Sequence, residues 1–109
     1  MSTLIPRGNI QRMFAIAVTF NPASVATATT AEQTTTVLGL RTGDFVIAQK
    51  PTNTAGVGVV NCRVSATDTL AVTFVNPTAG AVDAASETWQ FLVIRPEVAA
   101  AVLPNNVPA

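Results

Sequence analysis

Asp83 and Glu87 stand four positions apart, with only Ala84, Ala85 and Ser86 between them, and no other two acids in the sequence are closer. Two carboxylates facing across a cleft are what glycoside hydrolysis uses, one to protonate the leaving oxygen and the other to attack or to activate water. That chemistry also needs polar or aromatic subsites, and this stretch supplies small residues alone. Both acids therefore read as solvated loop residues. Glu32, Asp44, Asp68 and Glu97 complete the acids and stand apart from one another. Asp44 follows Gly43 and Asp68 follows Thr67, places where a short acidic side chain caps its own turn by accepting nearby backbone N–H groups, and that local role is expected of both. No run of oxygen-bearing residues at alternate positions suggests a calcium loop.

The other reactive residue types are scarcer still. The 109 residues include no histidine and no tyrosine. Without histidine there is no common general base, no Ser-His or Cys-His pair, and no imidazole ligand for a metal. One cysteine, Cys62, cannot build a structural zinc site or an internal disulfide; it reads as a small buried strand residue of a protein folding in a reducing compartment. The glycines of "TAGVGVV" lack the Gly-Lys-Ser/Thr ending of a phosphate cradle and read as a loop. Trp89 aligns with Phe91 and Val93 as a core residue, with a sugar-stacking or interface role as the alternative. No catalytic residue, metal or cofactor is implied.

Charge narrows the classes further. Arg7, Arg12, Arg41, Lys50, Arg63 and Arg95 are scattered and balanced by the six acids, so no basic patch for nucleic acid can be assembled. Charged residues are 11% of the chain, against about 25% in ordinary soluble domains. Alanine, valine and threonine supply most of the remainder, a composition suited to sheet faces and subunit contacts. The expectation is a self-associating or lattice-bound protein. No apolar run approaches the roughly 20 residues of a membrane span.

The elements that would position these residues are strands. "MFAIAVTF" (13–20) sets Phe14, Ile16, Val18 and Phe20 against Met13, Ala15, Ala17 and Thr19. Arg7 and Arg12 before it and "ASVA" after it also fit a secretory leader, but strict alternation is the mark of a half-buried strand. Asn21-Pro22 ends it. Further strand signals are "EQTTTVLGL" (32–40), "DFVIAQK" (44–50), "VVNCRVSA" (59–66, with Val60, Cys62 and Val64 aligned), "TLAVTFVN" (69–76, with Leu70, Val72 and Phe74 aligned) and "ETWQFLVIRP" (87–96). Gly43 in "RTGD" suits a positive φ, and Thr67-Asp68 suits a tight connection. "VTFNPASVATATTAEQTTTV" and "VTFVNPTAGAVDAASETWQFLV" echo one another in a Val-Thr-Phe end, an Asn-Pro break and an acid before the next strand. The echo is short and low in complexity, and duplication and coincidence both stay open. Six strands and no convincing helix predict one all-β domain over 13–96, a β-sandwich of jelly-roll or Greek-key topology. Residues 1–12 and 97–109, irregular and proline-bearing, are expected to be extended N- and C-terminal arms.

The block "LRTGDFVIAQKP" followed by "AGVGVVNCRVSATDTLAVTFVNPTAG" resembles small tailed-bacteriophage virion proteins of the capsid decoration, or cement, type. In these a Leu-x-x-Gly-Asp turn leads to a strand, an Ala-Gly-x-Gly loop, an Arg-Val-Ser strand and a Leu-x-Val-x-Phe-x-Asn-Pro strand. The likeness covers about Thr34 to Arg95 and rests on turns and strands. It implies a non-enzymatic jelly-roll homotrimer, made in the host cytoplasm and bound to the outer surface of the virion shell, where it clasps neighbouring major capsid subunits. The same modules occur in trimeric tail fibres and receptor-binding spikes, which is the alternative; exposed loop aromatics would mark that role, and "PTNTAGVG" and "PTAGAVDAAS" have none. A carbohydrate-binding module acting through Trp89 is a further reading. Bridging contacts to the major capsid protein or to sister subunits are expected in the arms, at Leu4, Ile5, Pro6, Ile10, Val102, Leu103 and Val107.

Overall fold

Alternation of apolar and polar side chains is realised as six strands: β1 (Ile10–Phe20), β2 (Thr29–Thr36), β3 (Phe45–Gln49), β4 (Gly58–Ala66), β5 (Thr69–Asn76) and β6 (Glu87–Pro96). The computed structural model describes residues 10–97, and no helix occurs among them. The protein is all-β: one antiparallel sheet of order β1-β6-β3-β4-β5-β2. Strands β3, β4 and β5 form a meander and β2 returns beside β5, a four-strand Greek key.

The sheet is doubled over. On a flat sheet β5 and β6, three places apart, would be separated by about 14 Å. Yet the rings of Phe74 on β5 and Trp89 on β6 lie 5.9 Å apart, edge to face. The halves β1-β6-β3 and β4-β5-β2 therefore face each other, and among the described strands the ladder passes from one half to the other where Phe45 pairs with Arg63. Phe20 closes the aromatic centre, 5.4 Å from Trp89 and 6.0 Å from Phe74. Leu70, Val72 and Phe74 of β5 and Trp89, Phe91 and Val93 of β6 are all buried, so each strand turns its aligned set inward as expected. Trp89 is a core residue, fully enclosed.

The sequence echo has a counterpart in the pairing. Its two units are β1-loop-β2 and β5-loop-β6, and β1 pairs with β6 while β2 pairs with β5. The two loops meet in a reciprocal bridge, Val25 N–H to Val82 O at 2.8 Å and Val82 N–H to Val25 O at 3.1 Å. Each unit thus pairs, strand for strand, with the other. Buried Asn76 ties this end together: its amide donates to Val25 O (3.0 Å) and Gly80 O (2.9 Å), and its carbonyl accepts from the Thr78 N–H and hydroxyl. The Gln33 side chain adds a two-point clamp on the backbone of Ala23.

Three sequence expectations need correction. Strand β1 begins at Ile10, inside the segment read as an arm, because no Gly or Pro interrupts the chain from Ile10 to Phe20 and Ile10 still finds a partner in Pro96. Strand β2 runs from Thr29 to Thr36 rather than 32–40, since Gly39 at φ +97° turns the chain and sends Leu40 into the core. Val60 does not align with Cys62 and Val64: a register shift between Val59 and Asn61 leaves it 57% exposed. Gly43 does adopt positive φ, +98°.

Candidate functional site

Each carboxylate with an ion-pair partner is engaged in holding the scaffold. Arg95 donates to both Asp44 oxygens, at 2.9 and 2.8 Å, and to Gly39 O at 2.8 Å, in a site where the Asp44 side chain is almost wholly covered. Asp44 also accepts the Arg41 N–H at 3.0 Å, so the expected turn cap is present beside an ion pair that spans 51 positions. Hydrogen bonds from Arg95 hold its carboxyl below the usual aspartate range, against the opposing effect of burial. Asp68 departs from its expected local role: its carboxylate accepts the N–H of Gly39, and its backbone bonds Val37 and Leu40, so it fastens the β2–β3 connection to the β4–β5 turn. Glu32 forms a two-point pair with Arg63 at 2.7 and 2.9 Å on the outer face, and Arg63 lowers its pKa. Glu87 is paired with Lys50, hydrogen-bonded by Thr52, and lowered by both. It is therefore not poised as an acid beside exposed Asp83. Cys62 is half-buried on β4, and burial pushes its thiol up to about 11, away from nucleophilic use. Among the described residues no three His, Cys, Asp or Glu stand together as metal ligands.

The two outer faces differ. Cross-strand register sets Thr30, Glu32, Thr34 and Thr36 of β2 beside Val75, Thr73, Ala71 and Thr69 of β5, a threonine surface crossed by the Glu32–Arg63 pair. The other half carries Met13–Ile94–Phe45 in one row, Ala15–Leu92–Ile47 in the next, then Ala17–Gln90–Gln49, then Thr19–Thr88. Met13 is 48%, Phe45 52% and Ile47 58% exposed. Across β1, β6 and β3 this outer face has no charged side chain. An apolar sheet face in water is unfavourable by roughly 25 cal/mol per Å², and such patches mark contact sites. This face is the candidate docking surface.

Of the expected contact residues, only Ile10 falls among those described; it lies at the start of β1, half-buried, opposite Pro96. Leu4, Ile5, Pro6, Val102, Leu103 and Val107 lie outside the described residues. The sequence reading missed Met13, Phe45, Ile47, Leu92 and Ile94. A signal was available: "FVI" on β3 and "FLVI" on β6 are apolar at both parities, which implies that both faces of those strands seek cover. No family model, no curated protein and no solved structure matches the chain.

Proposed function

We infer that this protein is a non-enzymatic structural component of a bacteriophage virion, a decoration protein that docks on the outer surface of the assembled shell and strengthens contacts between major capsid subunits. The observation that carries the reading is the uncharged apolar face of Met13, Phe45, Ile47, Leu92 and Ile94, on a scaffold whose ion-paired carboxylates are committed to holding it together. A ligand that binds only the assembled state shifts assembly away from dissociation by mass action. Association as a homotrimer, the form implied by the sequence resemblance, multiplies weak contacts through effective concentration.

The test is the copy number of this chain per purified virion relative to the major capsid protein. A ratio near one, or a sizeable fraction of it, is expected, and particles carrying Ile47→Asp lose the protein while the free variant melts as the parent does. A handful of copies per particle would refute shell decoration and put the protein on the tail.

A further inference from the structure

The doubled sheet leaves one long side open. Strand β1 ends the sheet, and among the described strands its second edge is unpaired over 11 residues that include neither proline nor an acid. Free edges of this length template pairing with another extended chain. Beside it, between β1 and the 37–41 connection, runs a groove of about 350 Å³ lined by Phe14, Ile16, Val37, Leu38 and Leu40. Phe14 and Ile16 are only half-buried there, and Leu38 is 82% exposed.

The groove is also cationic. Arg12, Arg41 and Arg95 all line it, and Arg12 and Arg95 are direct cross-strand partners, an arrangement in which like charges oppose the pairing. Asp44 neutralises Arg95. Among the described residues neither Arg12 nor Arg41 forms an ion pair; Glu97 shares an adjoining hollow with Arg41 without bonding it. Arg41 shares the field of Asp44 with Arg95, so two guanidinium groups that lack an ion pair of their own at one end of an apolar groove favour an apolar occupant that carries a carboxylate side chain. The chain's own remaining segments do not supply that side chain, since residues 1–9 and 98–109 contain no Asp or Glu.

We propose that the β1 edge and this groove take up an extended segment of a different protein, apolar at alternate positions and bearing an Asp or Glu that meets Arg12 and Arg41. The added strand pairs with the free edge of β1, sets its apolar side chains over Phe14 and Ile16, and delivers its carboxylate to the guanidinium pair. This site is separate from the outer sheet face and does not depend on it.

The experiment is amide NMR of the full chain titrated with the capped peptide acetyl-Glu-Thr-Val-Thr-Val-Thr-amide and with its Lys-for-Glu counterpart. Saturable shifts confined to residues 12–18 and 37–41 are expected from the acidic peptide, with at least tenfold weaker binding of the basic one. The double variant Arg12→Glu/Arg41→Glu, altered only at exposed side chains, keeps the parent spectrum elsewhere and reverses the preference. Equal binding of both peptides, or no shift at millimolar peptide, overturns the proposal. Binding that emerges only after residues 98–109 are deleted overturns it in favour of the chain's own tail, and groove shifts with decanoate but neither peptide overturn it in favour of a lipid-like ligand. Copy number on the virion is read separately, so the two readings fail independently.

Discussion

The buried Asp44–Arg95 pair should dominate the energetics of its end of the molecule, and a double-mutant cycle measures by how much. In Arg95→Met the Asp44 carboxylate, whose side chain is only 2% exposed in the parent, loses both guanidinium bonds, and Gly39 O loses its donor. Removing one member of a buried pair costs about 3–5 kcal/mol, because the partner's charge stays desolvated. Arg95 keeps slight solvent contact, so the lower end, about 3 kcal/mol, is expected. With an unfolding entropy near 0.2 kcal/mol per kelvin for a chain of this size, the melting temperature should fall by about 15 °C. Asp44→Leu should cost a similar amount, since it strands the guanidinium under Phe14, whose ring centroid is 5.8 Å away, and removes the cap on Arg41. The double variant Asp44→Leu/Arg95→Met buries no charge and should recover at least about 2 kcal/mol relative to the sum of the single losses. Acid titration adds a second readout. The Asp44 carboxyl is held below its ordinary value, so its contribution is complete above pH near 4. It is lost as pH falls from there through the depressed native value, and the double variant lacks that component. Single variants that each cost less than about 1 kcal/mol, or additive losses, would show that the pair does not hold this end of the molecule.

Three further outcomes can be checked on the purified protein. Asn76→Ala removes four hydrogen bonds from a buried hub and leaves Val25 O and Gly80 O without their side-chain donor, so thermal unfolding should show a loss of about 2–4 kcal/mol. Gly56→Ala must hold φ +86° with a Cβ 3.0 Å from Thr78 Cγ2 and 3.2 Å from Val82 Cγ2, and should cost about 1–3 kcal/mol, whereas an alanine at Gly58, which meets only Val75 at 3.7 Å, should be nearly neutral. Native Cys62 should resist iodoacetamide at pH 8 and react appreciably only as pH approaches its thiol value of about 11, while the urea-unfolded chain alkylates readily at pH 8–9.

Period-two patterning made most of the scaffold legible. Phe14 to Phe20, Leu70 to Phe74 and Trp89 to Val93 each announce an inward face because successive side chains of a strand must point to opposite sides, whatever the strand's neighbours. Breakers were equally local. Asn21-Pro22 and Asn76-Pro77 end strands because proline removes a ladder donor, and Gly43 takes the positive φ that its turn requires. The shortage of reactive residue types was also plain from composition alone.

Tertiary structure decided what depends on which strands become neighbours. Asp44 meets Arg95 across 51 positions and Asp68 meets Gly39 across 29, pairings that follow from strand order and register rather than from spacing along the chain. Val60 left the inner face through a single bulge, whose place is set by the partner strand. The uncovered apolar face had the same origin: Phe45, Ile47, Leu92 and Ile94 form one surface only because β3 pairs with β6 in that register and nothing among the described residues packs over them. Side-chain direction is a property of each residue and its own backbone, and could be read from the sequence. Contact is a property of two distant segments, set by the pairing that gives the lowest free energy for the whole sheet, and it existed only once the chain had folded.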